Sequence, residues 1–428
     1  MAAADSSPLS IHSDLHKNKH DNIYMLVRLY STDELTRIHL VADDDDDDEA
    51  DLVLYRIDPN QGSEQNSESK HLHDLRPLLV FPCTSKEQGV SCVKFGSKLY
   101  FFGLDYCFSL MDFYHSLYGP TRVHVIEEKD LMSLEPSDKN YFSKFRPMFS
   151  KTKNPMHDYK YAPICFVADN KLYVLSRKNY TDTPFEVFCP VDETWQALPS
   201  PYDVKKDFNF KNVSHNVAEK EHMVYFATSD AMMSFNLETR NWTFTSALAD
   251  QPVFRQATLV GRMAFGFLDH PRVMSHVSAS KPCSRGEEVM QPYLAPDPDF
   301  LKALRSSRFT YVWEYGCTGY IVVLQDPDDK EVVCFVTYGS NPPEDWTTDF
   351  TESSYVALSF FRIPGDFYTS ENRPDIFGPV YDGSYADEKA EDGGVMRRYF
   401  SAKYLYTKHF LVNNSHLNAL GKIVNCFL

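Results

Sequence analysis

At 428 residues the chain exceeds an ordinary single domain, which leaves two domains or one large closed β architecture. Its content of 43% hydrophobic and 14% aromatic residues, with 31 Phe and 26 Tyr, favours strands over helices and excludes disorder of the whole chain. A formal charge of −17 gives a surface that repels phosphate backbones and argues against a nucleic-acid partner.

Residues 1–21 are polar and read as a disordered tail, without the apolar core of a signal peptide. His12, His16 and His20 would align on one helix face, but no apolar stripe accompanies them to dock a helix. From Asn22 to Leu428 the chain reads as one β domain, opening with the alternation Ile23, Met25, Val27, Leu29. The acidic run Asp43–Glu49 has two readings, a site for a cation or basic partner and a solvated connection between strands at 37–42 and 52–57; the second is favoured, since the run lacks the alternate ligand spacing and Gly of a calcium loop. Lys98-Leu-Tyr-Phe-Phe102 and Arg122-Val-His-Val-Ile126 make the next strand pair. The nine cysteines show no C-x-x-C spacing and read as reduced, buried thiols of a cytoplasmic or nuclear protein. No stretch approaches the ~18 apolar residues of a membrane span, so no membrane association is expected.

Residues 171–201 are the most ordered pattern in the chain. Lys171-Leu-Tyr-Val-Leu175 and Phe185-Glu-Val-Phe188 read as strands, Pro190-Val-Asp-Glu-Thr194 as a tight acidic turn, and Trp195 as the opening of a third strand. The order recurs in His222-Met-Val-Tyr-Phe226, Met232-Met-Ser-Phe-Asn-Leu237 and Glu238-Thr-Arg-Asn-Trp242, which places the two Trp residues 47 positions apart. Weaker copies follow at 257–267 and 318–336. A last copy is read as the strands Lys403–Tyr406 and Phe410–Val412, followed by Lys422–Phe427. Irregular inserts interrupt the copies: 127–160, 281–308 with one short helix capped by Asp297, and 364–398, a loop rich in Pro, Gly and Asp.

A single antiparallel sheet of this kind cannot bury both faces, so copies of it must stack. Four-stranded units of roughly 40–50 residues do this radially, as blades of a propeller. The residues at 171–198, and less closely those at 222–242, resemble the kelch repeat, in which a Leu-Tyr-Val-type strand leads to a Pro-x-x-(Asp/Glu)-Thr turn and then Trp. The chain is most similar to diverged plant kelch proteins, although no F-box-like helical segment precedes the strands. The kelch Gly-Gly pair is missing: Ser176-Arg177 and Thr228-Ser229 stand in its place, and only Gly103 gives a partial match. The expected fold is therefore an all-β, kelch-type β-propeller with irregular loop inserts. Six or seven blades fit the length, six being favoured, with Lys422–Phe427 pairing with Ile23–Leu29 to close the ring. Trp195 is expected to pack one blade on another.

No nucleophile elbow, H-E-x-x-H or Walker loop occurs. Some plant kelch proteins of glucosinolate breakdown bind iron through Glu-x-x-x-Asp-x-x-x-His, a spacing absent here. No metal site and no cofactor is expected. The reading is a non-catalytic interaction module, monomeric, that binds a protein partner through loops on one propeller face. The alternative is an enzyme or product-directing protein of plant specialised metabolism. It would act on a small molecule in a pocket on the propeller axis, with a metal as one option. Loop position nominates Arg177, Tyr180, Arg255, His270, Arg272 and Trp313 as binding residues, since exposed Arg and aromatic side chains are the usual anchors.

Overall fold

The computed structural model describes residues 21–31, 50–61, 63–64, 73–83, 89–104, 121–133, 148–208, 210, 213–218, 222–227, 231–246, 254–260, 263–268, 277–280, 293–294, 318–325, 331–340, 353–362, 399–400, 403–413 and 419–428. They form six sheets, almost wholly antiparallel. The first sheet runs in the order Ala419–Phe427, Ile23–Ser31, Ala50–Ile57, Pro77–Cys83. The second contains Ser91–Phe95, Lys98–Phe102, His124–Glu127 and Ser150–Lys151. The third contains Ile164–Ala168, Lys171–Leu175, Phe185–Cys189 and Thr194–Ala197, and the fourth Ser214–Ala218, Met223–Ala227, Ala231–Asn236 and Trp242–Ser246. The fifth begins with Phe254–Val260 and Met263–Leu268. The sixth is built on Thr318–Gln325, Glu331–Ser340, Ser353–Arg362 and Lys403–Asn413.

The all-β expectation holds, and the strands Lys171–Leu175, Phe185–Cys189 and Met223–Ala227 lie within a residue of where the sequence pattern put them. The last strand also pairs with the first, with Val27 opposite Ile423 and Tyr24 opposite Phe427. One reading is corrected. Lys403–Tyr406 and Phe410–Val412 belong to one strand, Lys403–Asn413, because polar Thr407, Lys408 and His409 stay in the backbone ladder opposite Ser359, Leu358 and Ala357. The tail before Asp21, the acidic run 43–49, the helix expected at Asp297 and most of the 364–398 insert lie outside the described residues.

Successive strand positions point to opposite sides of a sheet, and both sides of the first three sheets are buried. Tyr24, Leu26, Leu52 and Leu54 of the first sheet pack on Cys92, Leu99, Phe101 and Ile126 of the second. The second sheet's other face, Val93, Tyr100, Phe102 and Val125, meets Cys165, Leu172, Val174, Phe188 and Trp195 of the third. Phe166, Tyr173, Leu175 and Phe185 then meet Val224, Phe226, Phe235 and Trp242 of the fourth. Ile23, Met25, Val27 and Leu29 close the series against Cys334, Val336, Leu358 and Phe360 of the sixth. This double burial explains the near-continuous apolar runs Lys-Leu-Tyr-Phe-Phe and Lys-Leu-Tyr-Val-Leu. The leading strands of the six sheets contact one another in a cycle: 419–427 on 91–95, 91–95 on 164–168, then 214–218, 254–260, 318–325 and back to 419–427.

The turns show what the repeat shares. Asp169 and Asn170, at φ 47 and 54, form the two-residue hairpin between Ala168 and Lys171, the geometry that matches strand twist. Counted back from Trp195 and Trp242, the equivalent left-handed residues are Glu193 (φ 52) and Arg240 (φ 58). The two Glu-Thr pairs therefore do not superpose. In the second turn the backbone donors of Glu238 and Thr239 are capped by Asn236 Oδ1, at 3.0 and 2.7 Å, rather than by carboxylate or hydroxyl.

Candidate functional site

The third sheet carries the best-defined polar surface. Its loop Ser176–Pro184 joins strands 171–175 and 185–189, and the segment 156–163 runs beside that loop before entering strand 164–168. Ser176 holds the two together. It is fully buried, its hydroxyl accepts from the Tyr161 amide at 3.1 Å and donates to the Lys178 carbonyl at 2.8 Å, and its carbonyl accepts from the Tyr202 hydroxyl at 3.1 Å.

On the outside of this joint, Tyr161 and Tyr180 meet edge to face with centroids 5.5 Å apart. The Lys178 ammonium lies 4.2 Å from the Tyr161 centroid and 5.3 Å from that of Tyr180. Hydrogen bonding to Tyr161, and then to Tyr180, raises the Lys178 pKa and keeps the ammonium charged. Tyr180 is 61% exposed, so the cluster presents an aromatic face with a cation beside it.

Beneath it lies an ionic hub. Glu186, on the strand 185–189, is completely buried and pairs with Lys160, which is 4% exposed. Its Oε2 accepts from the His157 amide at 2.9 Å and lies 2.6 Å from His157 Nδ1, while Oε1 accepts from the Asp158 amide at 3.2 Å. Burial, opposed by the Glu186 carboxylate, moves the Lys160 pKa down. Asp158 Oδ2 in turn accepts from the Thr183 amide and hydroxyl, at 3.0 and 2.8 Å.

Along the leading strands, Ser91, Cys165 and His215 occupy three neighbouring sheets, and the His215 ring lies 5.7 Å from that of Phe166. Burial pushes Cys165 up to about 12 and His215 down to about 4, which leaves a protonated thiol and a neutral imidazole at pH 7.

Of the six nominated residues, the structure assigns two. Tyr180 belongs to the exposed cluster. Arg177 is a brace: its Nε donates to the Ala162 carbonyl and its Nη1 to the Phe210 carbonyl, both at 3.1 Å, so it ties the third sheet to the approach of the fourth. Arg255 lies on a described strand whose side chains are not described, and His270, Arg272 and Trp313 lie outside the described residues. Tyr161 and Lys178 were not nominated. Lys178 and Tyr180 alternate within a loop flanked by strands, which is a readable signal, but Tyr161 arrives from a different segment. Among the described residues, no three His, Cys, Asp or Glu side chains converge to hold a metal, and no helix is long and apolar enough to cross a membrane.

No family model and no curated protein matches the chain. Solved structures similar to it include the crystal structure of a nidogen/laminin complex, at 9% identity and a TM-score of 0.28 over 60% of this chain and 89% of that one. Another is the N-terminal domain of Nup159, at 10% identity and a TM-score of 0.29 over 73% of this chain and 68% of that one. At these scores neither similarity bears on function.

Proposed function

We propose that the chain is a six-bladed, kelch-type β-propeller that serves as a non-catalytic interaction module and binds a protein partner through the loops beside Tyr161, Lys178 and Tyr180. The cyclic contact order of the six leading strands and the pairing of Ala419–Phe427 with Ile23–Ser31 support the propeller. The observation that carries the binding role is the exposed Tyr180 ring held against Tyr161 with the Lys178 ammonium beside both. Pre-ordered Tyr side chains give a partner large contact area at low entropic cost, and a cation beside them adds directionality.

The test compares the tagged full chain with a Lys178→Ala/Tyr180→Ala variant in quantitative affinity purification, with far-UV circular dichroism as a fold control. A direct partner is expected to lose affinity by about 30-fold, the scale of one interface hot spot. Capture of the same proteins at equal yield by both forms would rule this surface out.

A further inference from the structure

We infer that buried Glu186 is the positioning residue of the Tyr161–Lys178–Tyr180 surface and acts on it through Asp158. This rests on the binding role proposed above and supplies its architecture. One carboxylate gathers donors from three residues of the segment 157–160: the amides of His157 and Asp158 and the ammonium of Lys160. Asp158, so fixed, holds the facing loop through both the amide and the hydroxyl of Thr183. The next residue along the segment after Lys160 is Tyr161, and three residues before Thr183 in the loop is Tyr180. The two rings thus arrive on separate stretches of chain, which Ser176 joins at one end of the loop and the relay from Glu186 to Asp158 to Thr183 holds at the other.

The sheet itself does not require a charge at this position. Glu186 lies opposite Val174 on one neighbouring strand and Ala197 on the other, and neither side chain makes a polar bond. A buried ion pair is weak evidence for stability, and its best-attested use is to specify one arrangement among several. What it specifies here is the path of 157–161 against 176–184.

The experiment labels the full chain with lysine carrying carbon-13 at Cε and follows the Lys178 methylene by NMR, assigned with Lys178→Arg. Ring currents from Tyr161 and Tyr180 displace that resonance upfield in the native protein. In a Lys160→Met/Glu186→Leu variant, which removes both buried charges together, we expect a folded protein whose Lys178 resonance has lost its displacement. Asp158→Ala, which leaves the Lys160–Glu186 pair in place, is expected to do the same and decides the matter should the double variant not fold. Retention of the upfield resonance in folded double variant or in Asp158→Ala overturns the inference, as does its absence from the native protein. No partner is needed for this readout, so failure of the relay and failure of the binding role are separately visible.

Discussion

Trp195 and Trp242 stand at the same place in successive sheets and differ by one hydrogen bond. Trp242 Nε1 donates to the Pro199 carbonyl at 2.7 Å, which anchors the fourth sheet to the end of the third. Trp195 packs on Phe188 and on Phe102 of the preceding sheet, but its Nε1 is buried with no acceptor among the described residues. An orphaned buried donor carries a desolvation penalty that Phe would remove. Trp242→Phe is therefore expected to cost about 2 kcal/mol, and Trp195→Phe less than about 1 kcal/mol, read from urea midpoints at unchanged m-value. Equal costs would mean that packing alone decides both positions. The packing role of each Trp was legible in the sequence, because a large flat residue after a tight turn in a sheet buried on both faces has few other places to go. The hydrogen bond was not, since its acceptor lies 43 residues away. Tyr161 escaped for the same reason: its partners are set by how two loops cross, and no local periodicity records that crossing.

At the scale of the element, the second strands of two sheets end differently, one on glycine and one on serine, for physical reasons. Gly103 ends the strand Lys98–Phe102 at φ +78, and a Cβ there would lie 2.9 Å from the Gly89 carbonyl oxygen. Ser176 ends the equivalent strand 171–175 and needs no glycine, because its buried hydroxyl closes the turn by hydrogen bonding Tyr161 and Lys178. Gly103→Ala is expected to cost about 3 kcal/mol, against about 1 kcal/mol for Gly96→Ala, which shares a positive φ (+62) but meets nothing within 4 Å. Chemical denaturation of the two variants side by side checks the difference. The strands Lys98–Phe102 and Lys171–Leu175 were legible from their apolar runs. The strand Lys403–Asn413 was split in the reading because pattern registers side chains, whereas the ladder through Thr407–His409 is made by backbone.

At the scale of the molecule, the pairing of the last strand with the first converts an edge into an interior. Ile23, Met25, Val27 and Leu29 face the sixth sheet while Tyr24 and Leu26 face the second, so this one strand serves two cores. Tyr24 also bonds Glu128 of the short helix Glu128–Leu131 and stacks on Phe427, which ties the closing pair to its neighbour. Deleting residues 419–428 is expected to abolish cooperative unfolding and to produce concentration-dependent association, with partial recovery on adding the peptide 419–428 in trans. Size-exclusion chromatography across a concentration series checks this, and a monomeric, cooperatively melting truncation would show that the pairing is dispensable. The same arrangement sets a schedule for birth on the ribosome. Synthesis of the strand Ile23–Ser31 precedes that of its partner Ala419–Phe427 by nearly the whole span between them, so at translation speeds of ~5–20 residues per second the nascent chain waits roughly 20–80 s with that edge open. Whatever shields Ile23–Ser31 through that interval, a chaperone or a provisional pairing within the chain, must yield when the final strand emerges.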